Sequence, residues 1–291
     1  MTVSLADLNN GTADAFVAAL AEVFENAPWI AAQAALLRPF DSVTALHAAM
    51  LRVIDDASAE DRLAFLRGHP ELGGKVARAG AMTDHSIAEQ GSLGLNRLSN
   101  AEFDRFEALN AAYRARFGFP FIICVRRHTR DSILANFARR LEHDLNAEQA
   151  AAIGEIVFIS RLRLVAKVTG AGVPVTTSRL STQVTDAVSG QPVPGVRVSL
   201  HEIGASATAE IVAAETGSTE TPLISGEPLR IGTYELRFQV GEHFKAMGFA
   251  VADPPFLDMI PVRFSIAKPE GEYHLAMTVS PSGYTISREN P

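Results

Sequence analysis

Residues 145–184 read LNAEQAAAIGEIVFISRLRLVAKVTGAGVPVTTSRLSTQV, and the spacing of the apolar residues changes within this stretch. Up to about Leu164 they recur at helical intervals, and Asn146 is a candidate cap for that helix. From about 168 to 178 the chain is small, β-branched and glycine-containing, the composition of a linker. Beyond Arg179 the pattern becomes that of strands. The fold class therefore rests on the two sides of this one segment.

On the N-terminal side the chain reads as helices. In TADAFVAALAEVFENAPW, Phe16, Leu20, Val23 and Phe24 fall at helical spacing, and Pro28 follows the end. In LSNAEFDRFEALNAAYRARFG, Ser99 and Glu102 form a capping box. Phe103, Phe106, Tyr113 and Phe117 share a face, and Gly118 stops the helix. No alternating strand is expected before residue 165. On the C-terminal side, GVRVSLHEI alternates Val196, Val198, Leu200 with Arg197, Ser199, His201. TYELRFQV, IPVRFSIA and EYHLAMTVS alternate in the same way, with glycine, proline and serine clusters between them. Two-residue periodicity broken by turns predicts an antiparallel β-sandwich. The expectation is a multidomain α and β chain: an all-helical domain over 1–167, a linker over 168–178 and a sandwich over 179–291.

Composition narrows the function classes. The 291 residues suit two domains of ~150 residues, and 47% hydrophobic with 20% charged residues is ordinary globular usage. A net charge of −7 argues against nucleic acid or an anionic membrane as partner. No apolar run reaches the ~18 residues that span a bilayer. The start, MTVSLADLNNGTADAF, lacks the basic and apolar parts of a secretory signal, and the end, SRENP, is no peroxisomal address, so cytoplasm is the expected compartment. A single cysteine, Cys124, excludes an intrachain disulfide and a cysteine-cluster metal site. No histidine–carboxylate spacing matches a metal-binding helix, so no metal is expected.

In the helical half, polar residues gather at His69–Pro70, at SIAEQ (Ser86–Gln90) and around FGFPFIICVR (Phe117–Arg126). Taken singly, each has a bland reading. His69 would be a solvated turn residue, Glu89 and Gln90 an exposed helix face, Arg126 a surface cation and Cys124 a small buried hydrophobe.

Taken in order, ENAPW, HPELGGK, SIAEQ and LNAAYRARFGFPFIICVR resemble the decarboxylases of 2-oxo-4-hydroxy-4-carboxy-5-ureidoimidazoline (OHCU), from about residue 12 to 164. The resemblance implies an all-helical domain, usually dimeric and without a cofactor, that acts on a small ureide on the way from urate to allantoin. It implies His69 as catalytic acid/base, a type of side chain suited to moving protons near neutral pH, with Pro70 restricting its backbone. It implies that Ser86, Ile87, Ala88, Glu89 and Gln90 bind substrate, with Glu89 accepting from ureido N–H groups. The backbone of Phe121, Ile122, Ile123, Cys124 and Val125 would face the flat ring, and Arg126 would offer a planar fork to an anion.

The strand half has its own resemblance. LSTQVTDAVSGQPVPGVRVSL, TPLISGEPLRIGTYELRF and YHLAMTVSPSGY resemble the transthyretin-like family, whose enzymes hydrolyse 5-hydroxyisourate one step earlier. It implies a sandwich that assembles as a homotetramer with sites at the dimer–dimer interface. The family pattern is broken, however. Gln183 stands at the first histidine, Ser218 at an arginine and Ser287 at the tyrosine of a Tyr-Arg-Gly-Ser tail, whereas His274 and Arg288 are kept. Glutamine cannot serve as a base at neutral pH, and serine cannot supply the arginine's charge. The expectation is a decarboxylase yielding (S)-allantoin, fused to a sandwich impaired in hydrolysis. A bifunctional enzyme rebuilt around His274, Arg288 and His201 or His243, and a non-catalytic scaffold, are the competing readings.

Overall fold

The computed structural model describes residues 2–73, 83–95, 98–204, 208–216, 222–248 and 252–289. Ser218, Asn290 and the closing Gly74–Lys75 of HPELGGK lie outside the described residues. The chain forms two units, one of residues 1–126 and 133–176, the other of 127–132 and 177–291.

The first unit is helical, as its periodicity predicts. Its helices are α1 (Leu5–Asn10), α2 (Ala13–Leu20), α3 (Pro28–Ala34), α4 (Val43–Asp55), α5 (Ala59–Arg67), α6 (Asp84–Gly91), α7 (Asn100–Phe117), α8 (Arg130–Arg140, shared in its first turn with the second unit) and α9 (Leu145–Lys167). Several starts have a local cause. Thr12, Ser42, Ser58 and Thr83 accept a backbone N–H three residues on, and Ser99 with Glu102 completes the expected capping box. Gly118, at φ +77°, ends α7 in the left-handed conformation that only glycine adopts without strain. The long helix α9 is capped by Asp144, not by the expected Asn146: Asp144 accepts from Ala147 N, and Asn146 lies inside the helix. Phe16, Leu20, Phe24, Ile30, Leu46, Met50, Tyr113, Phe137 and Ile156 fill the core. Burying such a side chain is worth roughly 1.5–3 kcal/mol.

One pairing in this unit departs from expectation. The two-residue strands β1 (Val3–Ser4) and β2 (Val168–Thr169) pair in parallel, Val3 opposite Val168. Two residues carry no periodicity, so the alternation test could not see them. Of the segment 168–178, the part up to Thr176 belongs to the helical unit. There Val43 N donates to Ala171 O at 2.9 Å, and Thr44 Oγ1 to Gly172 O at 2.7 Å.

The second unit is a sandwich of two four-stranded sheets. It comprises β3 (Arg179–Asp186), β4 (Arg197–Ile203), β5 (Thr208–Glu215), β6 (Ile224–Ser225), β7 (Gly232–Gln239), β8 (Met259–Ile266), β9 (Glu272–Ser280) and β10 (Gly283–Glu289), with helix α10 (Val240–Ala246) between β7 and β8. The sheet orders are β10-β9-β3-β6 and β5-β4-β7-β8. Val198, Leu200, Leu236, Phe238, Leu275, Met277 and Val279 meet between them, as the alternation predicts. The pairing is antiparallel except between β3 and β9, which run parallel. Alternation reports which face a residue occupies, and it is silent on strand direction.

Candidate active site

Helix α5 closes at Gly68, whose N–H reaches Ala64 O, and His69 follows at once. Asn26 Nδ2 donates to Gly68 O at 2.9 Å and braces this turn. The His69 ring lies edge-on to Phe65, 5.0 Å between centroids, with Nδ1 3.1 Å from Phe65 O. A carbonyl only accepts, so Nδ1 carries the hydrogen and the neutral ring presents a bare Nε2. Part of the residue reaches solvent, yet burial of the ring is the largest influence on its titration. Burial outweighs the Phe65 carbonyl and the Glu25 charge and brings the His69 pKa down to about 4.

Helix α6 carries Ser86, Glu89 and Gln90 at i, i+3 and i+4, hence on one face. Ile87 and Ala88 fall off that face, half-buried and exposed. Gln90 is spent on the backbone: Oε1 accepts from Gly73 N at 2.9 Å and Nε2 donates to Glu71 O at 3.1 Å. That pins the chain following His69–Pro70 to α6.

Residues 119–124 run without helix or strand bonds, yet all are buried. Phe121, Ile122, Ile123 and Val125 present themselves to a cavity, whereas Cys124 turns away and gives its N–H to Glu155 Oε2 at 2.9 Å. The cavity encloses about 410 Å³ of unfilled space, part of it open to solvent, and His69, Pro70, Ser86, Glu89 and Gln90 also line it. Ile87, Ala88, Cys124 and Arg126 do not.

Arg126, expected to face an anion, does not line the cavity; among the described residues the cation that does is Arg163. From α9 it donates to Glu89 twice, Nε to Oε1 at 3.0 Å and Nη2 to Oε2 at 2.8 Å, and to Glu25 Oε2 at 2.7 Å through Nη1. Thr83 Oγ1 and Ser86 Oγ also donate to Glu25, at 2.7 and 3.1 Å. Burial pushes the Glu25 carboxyl up, but the hydrogen bonds from Thr83, Arg163 and Ser86 and the Arg163 charge override it and hold it below the ordinary range. Burial likewise works against the Arg163 charge, and Glu89 and Glu25 more than offset it. Sequence reasoning missed both residues. The signals were there: Glu25 opens the ENAPW motif, and Arg163 interrupts an apolar run between Leu162 and Leu164, both buried.

On the sandwich, the register sets Ser181, Gln183, His274, Ala276 and Ser287 on the face of the β10-β9-β3 sheet opposite Leu275 and Tyr273. Ser181 Oγ lies 2.9 Å from His274 Nδ1. Arg288 does not share that face: it stands opposite Leu275, with its guanidinium 4.7 Å from the Tyr273 ring. His201 belongs to the other sheet, where it bonds Ser199, and His243 lies on α10.

The helical unit thus supplies a half-enclosed cavity with a neutral histidine and a buried arginine–dicarboxylate cluster, an arrangement for acid/base work on a small polar molecule. The OHCU decarboxylase family model matches residues 9–165, and the HIUase/transthyretin family model matches 180–288. The chain belongs to the OHCU decarboxylase family, with a transthyretin-type domain fused behind it. It is 42% identical over 162 residues to the 2-oxo-4-hydroxy-4-carboxy-5-ureidoimidazoline decarboxylase of Haloferax volcanii, covering 56% of this chain and 94% of that one. It is 37% identical over 166 residues to a uric acid degradation bifunctional protein of Bacillus subtilis, covering 57% of this chain and 33% of that protein. A solved (S)-allantoin synthase is similar over 99% of this chain and all of its own, at 27% identity and a TM-score of 0.56. Among the described residues, no helix is long and apolar enough to cross a membrane.

Proposed function

We propose that this chain is a carboxy-lyase that converts 2-oxo-4-hydroxy-4-carboxy-5-ureidoimidazoline to (S)-allantoin in urate degradation. The observation that carries the reading is the convergence of His69, Ser86, Glu89 and Arg163 on one cavity. The substrate bears a carboxylate and a hydroxyl on one ring carbon. When carbon dioxide leaves, the bonding electrons move toward the adjacent carbon–nitrogen double bond, and that nitrogen takes a proton from solvent. An enol remains. His69 Nε2 accepts the hydroxyl proton and returns it to the carbon bearing the ureido group, on the face it borders. One proton is consumed overall. Glu89 keeps free lone pairs for ureido N–H groups while Arg163 holds it in orientation. An arginine already paired with two carboxylates binds a third weakly, which suits a carboxylate that must leave as neutral gas. Pro70, Phe121, Ile122, Ile123 and Val125 shape the cavity around the ring, and Gln90 holds its wall.

A circular-dichroism time course from urate and urate oxidase tests this. The purified protein should produce (S)-allantoin, and a His69→Ala variant should not. Unchanged allantoin formation by that variant rejects the role of His69.

For the sandwich, the reading is weak or absent hydrolysis of 5-hydroxyisourate. Gln183 replaces a base, and Arg288 lies across the sheet from His274. A bifunctional enzyme is the second reading, supported by the Ser181–His274 hydrogen bond and by the whole-chain likeness to the (S)-allantoin synthase. Ultraviolet decay of 5-hydroxyisourate decides: decay near the spontaneous rate supports the first, clear acceleration the second. A homo-oligomer, dimeric through the helical unit and tetrameric through the sandwich, and a cytoplasmic location complete the proposal.

A further inference from the structure

Behind the cavity wall lies a second charged cluster that the proposed chemistry does not use. Tyr113 on α7, Arg140 at the end of α8 and Glu148 near the start of α9 are each at most 1% exposed. Arg140 donates to Glu148 Oε1 through Nε at 2.8 Å and again through Nη2, and Tyr113 donates to the same oxygen. His143 Nδ1 meets the other oxygen at 2.9 Å. The remaining nitrogen of the fork, Arg140 Nη1, donates to Ile122 O at 2.7 Å, and the guanidinium lies 4.5 Å from the centre of the Phe121 ring. Phe121 is then stacked on Phe137 at 3.7 Å.

We infer that Arg140, aligned by Glu148 and Tyr113, is a positioning residue that sets the Phe121–Ile122 wall against the bound ring. This rests on the reading of the cavity as the decarboxylase site. Phe121 and Ile122 have no helix or strand ladder to place them. The Arg140 fork fixes a backbone oxygen of one and a ring face of the other at once, and a lysine ammonium, a compact point charge, cannot do both while holding Glu148. Displacing a wall by an ångström is costly where a ring must be held with one face toward a proton donor.

The test is Arg140→Lys in the full chain, with kcat and KM from steady-state kinetics at limiting enzyme, product handedness at excess enzyme, and a thermal melt beside them. KM should rise by about tenfold or more and the share of (S)-allantoin should fall; loss of folded protein alone lowers apparent kcat and moves neither. A folded variant with parental KM and handedness overturns the inference. Should Arg140→Lys fail to fold, Tyr113→Phe removes a single donor to Glu148. There KM should rise about threefold, and an unchanged KM is the overturning result. His69→Ala run in parallel separates the two failures. An undiminished rate in His69→Ala rejects the site itself, whereas a dead His69→Ala beside a parental Arg140→Lys rejects only the positioning role.

Discussion

Arg163 binds Glu89 through two parallel hydrogen bonds, Nε to Oε1 at 3.0 Å and Nη2 to Oε2 at 2.8 Å, and still has a third donor for Glu25. A fork with this reach is particular to arginine. Arg163→Lys is expected to leave one of the two carboxylates without its charge partner in a buried site, at roughly 3–5 kcal/mol of stability. kcat/KM for decarboxylation should fall about a hundredfold, because Glu89 loses its orientation. Urea titration and steady-state kinetics measure the two effects, and full activity in the variant contradicts the arrangement.

The pH profile follows from His69. Its pKa is brought down to about 4, so the ring stays neutral and basic at pH 7 and well below. Activity is lost as pH falls and the ring gains its proton. The acid limb of kcat/KM should therefore approach pH 4, as far down as the protein stays folded. A limb centred near 6.5, the ordinary histidine value, contradicts this environment.

His47 makes a similar statement about stability. It is buried between α4 and α9, with Nε2 2.9 Å from Ser160 Oγ, and burial first, then the Arg161 charge, lowers its pKa from 6.5 to about 4. The unfolded chain binds this proton more readily than the folded chain does. The contribution is thus fully present above about pH 6.5 and is lost as pH falls toward 4, up to about 3 kcal/mol. His47→Gln keeps a donor for Ser160 and removes the titration. Its urea midpoint should vary less between pH 7 and 4.5 than the parent's; equal slopes refute the account.

The two ends of α7 give two stability tests. Gly118 has φ +77°, and a methyl group there meets Arg67 Nη2 only at 3.6 Å, so Gly118→Ala costs backbone strain and not a clash. About 1 kcal/mol or somewhat more is expected. Ser99→Ala removes one half of the capping box and should cost about 1 kcal/mol. Thermal denaturation reads both, and a variant as stable as the parent contradicts the cap concerned.

Local pattern made much of the molecule legible. The Ser99–Glu102 box, the Gly118 stop and the alternating cores of β4, β7 and β9 follow from spacing and backbone preference, which act within a few residues. The spacing of Ser86, Glu89 and Gln90 puts them on one face once that segment is a helix, and the helix itself came from the structure. Arg126 does not line the cavity although Ile123 and Val125 beside it do, because adjacency in sequence does not fix which way a side chain turns.

What the sequence by itself determined is a helical half, a strand half, and the chemistry available at His69, Glu89 and Gln183. The tertiary structure alone decided that Arg163 meets Glu25 across 138 residues of chain, that β3 and β9 run parallel, and that Arg288 falls on the wrong face to join His274. Periodicity records only which face of an element is apolar. Which faces then meet, and which charges share a cavity, depends on packing between elements distant in sequence.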